Sequence, residues 1–225
     1  YRFRFLFLSI FMIVSCKNSH DNYIKIGIYS FDFPKEFSLI KGNGIDSYVG
    51  KVTDNKISFD FDYGYYSNKL VLAPEEYVDN KIWFDQFIEH ANMETPASER
   101  VSKSDIDILE VRKANFTDKL GNVEQNYVAT LKWKKGVKFD YPIEIPEGLK
   151  DYTIKKDTIQ NCLRKIVLAK DSKKGITGIY LQDLSNFNKS INSSEALSMS
   201  TSNLTKPQQD SVLKIFNTLK INNPK

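Results

Sequence analysis

The sequence predicts an α+β fold, a twisted antiparallel sheet with helices packed on it, and three observations carry that reading. Segments such as Tyr23-Ile-Lys-Ile-Gly-Ile-Tyr29 and Lys56–Tyr63 alternate apolar and polar residues, the period of a half-buried strand. Two stretches instead place apolar residues at helical spacing, one mid-chain and one near the end. The order is several strands, a helix, several strands and a last helix, which favours an antiparallel sheet over a repeating βαβ pattern.

Taken in order, Tyr23–Tyr29 reads as one strand. Phe33-Pro34-Lys-Glu-Phe37 turns into a short strand, Phe37–Ile40. Lys41-Gly-Asn-Gly44 has loop chemistry. Ser47–Thr53 and Lys56–Tyr63 form a hairpin about Asp54-Asn55, with Ile57, Phe59, Phe61 and Tyr63 on one face and Ser58, Asp60 and Asp62 on the other. Gly64 closes the strand before Tyr65-Tyr66-Ser67-Asn68. A helix is expected over Asp79–Ala91, capped by Asp79, with Ile82, Trp83, Gln86, Phe87 and Ala91 on its inner side. Asn92–Ser104 reads as a polar loop. Ile106–Val111 and Tyr127–Trp133 read as strands, Lys134-Lys-Gly136 as a turn, and the proline-bounded Tyr141–Ile145 as a poor strand. Thr158–Ala169 and Ile176–Leu184 make a hairpin around Lys170–Gly175. Ser185–Thr205 is a Ser/Asn-rich loop around one short strand, Ala196–Ser200. Thr205-Lys-Pro-Gln208 is a capping box that opens the last helix, with Val212, Leu213, Phe216 and Leu219 as its apolar stripe.

Residues 1–22 carry a different message. Arg2 and Arg4 lead into an apolar run from Phe5 to Val14, far short of the roughly 20 residues that span a bilayer. A basic start, an apolar core of about 7–15 residues and small residues at the cut make a secretory signal. Ile13-Val14-Ser15-Cys16 resembles the bacterial lipobox. That resemblance implies cleavage after Ser15 and lipidation, including palmitate, of Cys16. Residues 1–15 are then a signal peptide, residues 16–22 the lipidated Cys and a tether, and residues 23–222 a single domain. The chain opens on Tyr1 and not Met, so its true start is expected to be missing or miscalled. Lys17 stands where an Asp would retain a lipoprotein in the inner membrane. Asp21 is the one acid in the tether. The expected location is therefore the outer membrane, facing the periplasm.

Composition excludes several function classes. Without residues 1–15, 30 basic and 28 acidic residues remain, too balanced for a nucleic-acid surface. Of the 32 basic residues 27 are Lys, and Arg is the side chain that reads phosphate bidentately. With Cys16 lipidated, Cys162 has no disulfide partner and reads as a buried structural thiol. His20 and His90 are the two histidines, too few for a triad with a nucleophile elbow or for a zinc site. Neither GxGxxG nor the Walker pattern occurs. No cofactor, metal or catalytic residue is expected.

Carboxylates are the surviving enzymatic route. Asp60 and Asp62 share a strand face about 6–7 Å apart, so a hydrolase using that pair is one alternative, and Asp46 could join them in binding calcium. A small lipid or sugar carrier is another. Tyr63, Tyr65 and Tyr66 with Trp83 could form a stacking or anchoring platform. Tyr65 and Tyr66 cannot both point inward, so one is an exposed anchor. Lys132, Lys134 and Lys135 around Trp133 could touch anionic lipid headgroups or simply keep a hairpin turn soluble. The preferred reading is a non-enzymatic, membrane-anchored module that binds an envelope protein. Its binding surface is the Gly42–Gly44 loop with Asp46 and the turn carrying Tyr65, Tyr66 and Asn68.

Phe37-Ser-Leu-Ile-Lys-Gly-Asn-Gly-Ile-Asp-Ser-Tyr-Val-Gly-Lys51 and Phe61-Asp-Tyr-Gly-Tyr-Tyr-Ser-Asn68 resemble a set of uncharacterised Gram-negative lipoproteins of Bacteroidetes type. Gly175–Leu184 and the ending Ile215-Phe-Asn-Thr-Leu-Lys-Ile221 resemble the same set. More distantly the layout is similar to the PsbP-like fold, which implies a sheet between helices and a protein-binding or assembly role.

Overall fold

The computed structural model describes residues 22–115, 118, 126–185, 188 and 193–222. The signal, Cys16 and most of the tether lie outside the described residues. The fold is α+β and rich in antiparallel sheet. Its strands are β1 (Asn22–Ile26), β2 (Tyr29–Phe33), β3 (Ser38–Lys41), β4 (Tyr48–Thr53) and β5 (Ser58–Gly64). Helices α1 (Pro74–Asp79) and α2 (Ile82–Ala91) follow, then β6 (Ile106–Lys113), β7 (Tyr127–Trp133), β8 (Lys138–Ile143) and the short α3 (Glu147–Lys150). The chain closes with β9 (Tyr152–Ile159), β10 (Cys162–Ala169), β11 (Ile176–Asp183), β12 (Ala196–Ser202), α4 (Lys206–Phe216) and β13 (Lys220–Ile221).

The main sheet has seven strands in the order β3-β4-β5-β12-β11-β10-β9, all paired antiparallel. One face carries Phe59, Phe61, Ile166, Ile179, Leu181, Leu197 and Met199. These pack on the β1–β2 hairpin and on Val212, Ile215 and Phe216 of α4. The phenylalanines interlock edge to face: Phe33 to Phe59 at 5.5 Å and Phe59 to Phe216 at 6.0 Å, the arrangement that ring quadrupoles favour. The buried amide of Gln209 in α4 donates to Ala169 O and Thr177 Oγ1, so its burial leaves no donor unpaired. The predicted box at the start of α4 is present, with Thr205 N–H donating to Gln208 Oε1 at 2.8 Å.

Between β5 and β9 the chain builds a second core. Tyr77, Val78, Trp83 and Phe84 of α1 and α2 lie against Ile106, Ala129, Leu131 and Ile143 of the β6-β7-β8 sheet. The stretch read from sequence as one domain thus buries two separate hydrophobic clusters. Asn92 pins the following loop by exchanging two 2.7 Å hydrogen bonds with the Val101 backbone.

Several predicted boundaries are corrected. Tyr23–Tyr29 is two strands, because Gly27 takes φ +60° in a two-residue turn, and glycine-first turns are the ones that suit a twisted hairpin. A Cβ on Gly27 would meet the Tyr63 ring at 2.2 Å. The expected Asp79 cap is instead the last residue of α1. Lys81, at φ 57°, breaks the chain between α1 and α2. Residues 152–159 form the unforeseen strand β9, joined to β10 by Gln160 and Asn161, both at positive φ, the turn that strand twist selects. The poor strand expected at Tyr141–Ile145 falls earlier, at Lys138–Ile143.

The second face of the main sheet is polar across its middle. Antiparallel register sets Lys156, Lys165, Tyr180, Ser198, Asp62 and Val49 in one row across six strands. Leu70–Ala73 and α1 cover part of it. Leu70 lies over Gly178, and Lys165 Nζ donates to Val71 O at 3.0 Å and Glu76 Oε2 at 3.1 Å. Glu76 Oε1 meets Lys156 at 2.9 Å. One carboxylate therefore clasps the second core to the back of the main sheet.

Candidate binding surface

Strand β5 ends at Gly64, and the chain turns at once. Ser67 fixes the turn from beneath: its buried hydroxyl lies 2.9 Å from both Asp62 O and Ala196 O. Asn68 Oδ1 accepts the Leu70 N–H at 2.8 Å, an Asx-type closure. Between these two points Tyr66 stands 67 % exposed while Tyr65 is half-buried. Tyr65 O accepts a 3.0 Å hydrogen bond from Ser193 Oγ, so the turn is tied to the chain entering β12.

The loop between β3 and β4 reaches the same place. A Cβ on Gly64 would sit 3.1 Å from Ser47 Cβ and 3.5 Å from Asp46 O, so the Asp46-Ser47 backbone lies directly on the strand end. Asp46 is exposed, and Ile45 beside it is fully exposed. The Asp46-Ser47 backbone therefore lies at the end of β5, from which the turn with Tyr65, Tyr66 and Asn68 departs, and Ile45 stands exposed beside Asp46. The sequence assigns Ile45 no role, because a single isoleucine between a Gly-Asn-Gly loop and a strand carries no periodic signal of exposure. Tyr63 does not belong to this surface. It packs edge-on to Tyr29 and donates to Glu195 Oε2 at 2.6 Å. Burial, with that carboxylate adding to it, holds its phenol well above the ordinary range. Trp83 belongs to the second core and lies nowhere near this surface.

Asp60 and Asp62 share a face, as the strand period requires, but not a cavity. Asp60 is exposed and pairs with Lys51 at 3.2 Å. It lines a cleft of about 390 Å³ whose walls do not include Asp62. Asp62 Oδ1 is buried and has no hydrogen-bond partner among the described residues. An unsatisfied buried acceptor costs about 1–3 kcal/mol. Asp62→Asn, which removes the charge and supplies donors, is therefore expected to leave the melting temperature unchanged or raise it. Thermal unfolding measures this, and a large loss would show that the carboxylate is needed.

Cys162 lies in the core, its Sγ 3.4 Å from the Tyr29 hydroxyl. Burial raises its pKa, which makes it a poor nucleophile. His90 ends α2 in solvent. Among the described residues no three His, Cys, Asp or Glu side chains are grouped to hold a metal, and no helix is long and apolar enough to cross a membrane. An open groove of about 570 Å³ runs along the second core, where Tyr77, Trp83 and Tyr141 face Glu144, Glu147 and Lys150. The exposed Ile45 and Tyr66, at the loop and turn that meet at the end of β5, are the candidate surface. The chain matches no family model and no curated protein.

Proposed function

We propose that this chain is a lipid-anchored protein of the bacterial cell envelope that works without catalysis, as a binding module. Cys16 is the anchor, and the Ile45–Tyr66 surface takes an envelope protein partner. One observation carries the binding half: two large apolar side chains stand exposed on backbone that Ser67, Gly64 and Ser193 fix in place. Apolar groups held rigidly in water bind with little ordering cost, and tyrosine is enriched where partners dock. The anchor half rests on Arg2, Arg4, the apolar run and Ile13–Cys16. Thioether diacylation with a further chain on the new amine would hold the domain firmly, since each buried CH₂ contributes about 0.8 kcal/mol. The PsbP-like arrangement belongs to the same proposal, supported by the broad antiparallel sheet with α4 against one face.

Metabolic labelling with an alkyne fatty acid tests the anchor. The wild-type chain incorporates label, and Cys16→Ala incorporates none and accumulates with its signal uncleaved. Equal labelling of both would refute the lipobox.

A further inference from the structure

The β7–β8 hairpin has a tip that the binding surface above leaves unused. Lys132, Lys134, Lys135 and Lys138 stand there within seven residues. None of them forms an ion pair among the described residues. Lys132 and Lys138 are directly opposite in register, and like charges so placed cost stability. The turn also exposes an apolar group, with Val137 62 % accessible. Trp133 is half-buried and stacks on Phe139 at 5.9 Å. Beside it lies a cleft of about 410 Å³, walled by Trp133 and Val101 and rimmed by Arg100, Lys134 and Lys135. Glu99 and Asp105 line the same cleft, and Asp107 and Asp140 lie further down the sheet, Asp140 accepting the Thr130 hydroxyl at 2.8 Å. Asp105 is engaged at 2.8 Å by the Ser102 N–H and hydroxyl, and Asp107 opposes Lys132 across β6 and β7 without an ion pair. The extremity itself, residues 134–138, carries positive charge alone.

Cations around an indole, with one apolar side chain leading, match the edge of an anionic bilayer, where tryptophan settles at headgroup depth and lysine meets negative surface potential. We infer that the hairpin tip docks on an anionic phospholipid membrane. A headgroup phosphate sits between Arg100 and Lys134–Lys135, and Val137 and Trp133 enter the interface. This contact is made by the folded domain itself and does not depend on Cys16.

The mature chain, residues 16–225 with Cys16→Ser, is mixed with vesicles of phosphatidylcholine with or without phosphatidylglycerol, their acyl chains brominated to quench indole. The readout is quenching of Trp133 and not binding alone. The other tryptophan, Trp83, is 2 % exposed and stays unquenched. Emission is expected to fall on phosphatidylglycerol vesicles and not on pure phosphatidylcholine, and high salt should reverse the effect. Replacing the four tip lysines with Gln should require on the order of 1,000-fold more lipid for the same quenching, at about 1 kcal/mol per lysine. Trp133→Phe should abolish the signal with the fold intact by circular dichroism. Equal quenching on both vesicles, or in the lysine variant, would overturn the inference. Absence of quenching would also overturn it, leaving the tip to an acidic protein.

Discussion

Replacing Glu76 with Ala is expected to destabilise the chain by about 3–5 kcal/mol, because it strands a buried cation. Lys165 is 2 % exposed, and the carboxylate at 3.1 Å is its only anionic partner among the described residues. Burial lowers the Lys165 pKa and Glu76 raises it back in part. The effect should be conditional. With Lys165→Met in place, no buried charge is left behind, and Glu76→Ala should then cost little, since well-packed apolar replacements of buried ion pairs are often neutral. Chemical denaturation of the four members of this double-mutant cycle measures the coupling. Additive losses would mean that the clasp carries no specific interaction. The same group sets an acid limit. Burial alone would raise the Glu76 pKa, but the Ala73 N–H, Lys156 and Lys165 outweigh it and hold the carboxyl below its ordinary value. A depressed carboxyl contributes stability above its unfolded pKa, near 4.3. That contribution is lost as pH falls through the lower folded value. The wild-type chain should therefore lose stability across that window more steeply than Glu76→Gln.

Trp83→Ala should remove about 3–5 kcal/mol from the second core. Its ring stacks on Tyr141 at 6.0 Å and packs against Phe84 at 5.5 Å, and its Nε1–H donates to Val78 O at 3.2 Å. Because the chain buries two clusters, the loss should be local. Amide hydrogen exchange is expected to accelerate across β6, β7 and β8 while β10, β11 and β12 keep their protection. Uniform acceleration would show that the two cores unfold as one.

The parts legible in the sequence are those whose instructions are local. The hairpin at Asp54-Asn55 follows from period-2 alternation and Asx chemistry, and Asp54 Oδ1 does accept the Lys56 and Ile57 N–H groups. Helix α4 follows from its capping box. The alternation of Tyr65 and Tyr66 follows from successive side chains pointing apart. What escaped depends on distant partners. Gly27 sits in a run that alternates perfectly, and its turn rests on a positive φ and on the Tyr63 ring lying where a Cβ would be. Helix α1 does carry a start signal in Ala73-Pro74-Glu75-Glu76, but its six residues are too short for a periodic stripe. Lys165 stands beside Arg164 in a strand without alternation, and nothing local marks it as buried. Its burial depends on Glu76, 89 residues away, which no local pattern contains. The approach of Asp46 to the end of β5 follows from the hairpin about Asp54-Asn55, which the sequence predicts, whereas the full exposure of Ile45 beside it does not.

The Ile45–Tyr66 surface is proposed to hold an envelope protein beside the membrane. A photo-crosslinking amino acid placed at position 66, with a control at the exposed Lys170 in the β10–β11 turn, tests this in intact cells. A discrete adduct with one envelope protein is expected from position 66, lost when Ile45 is also changed to Asp and absent from position 170. Equal adducts from both positions, or none from position 66 in a folded and membrane-bound protein, would contradict it.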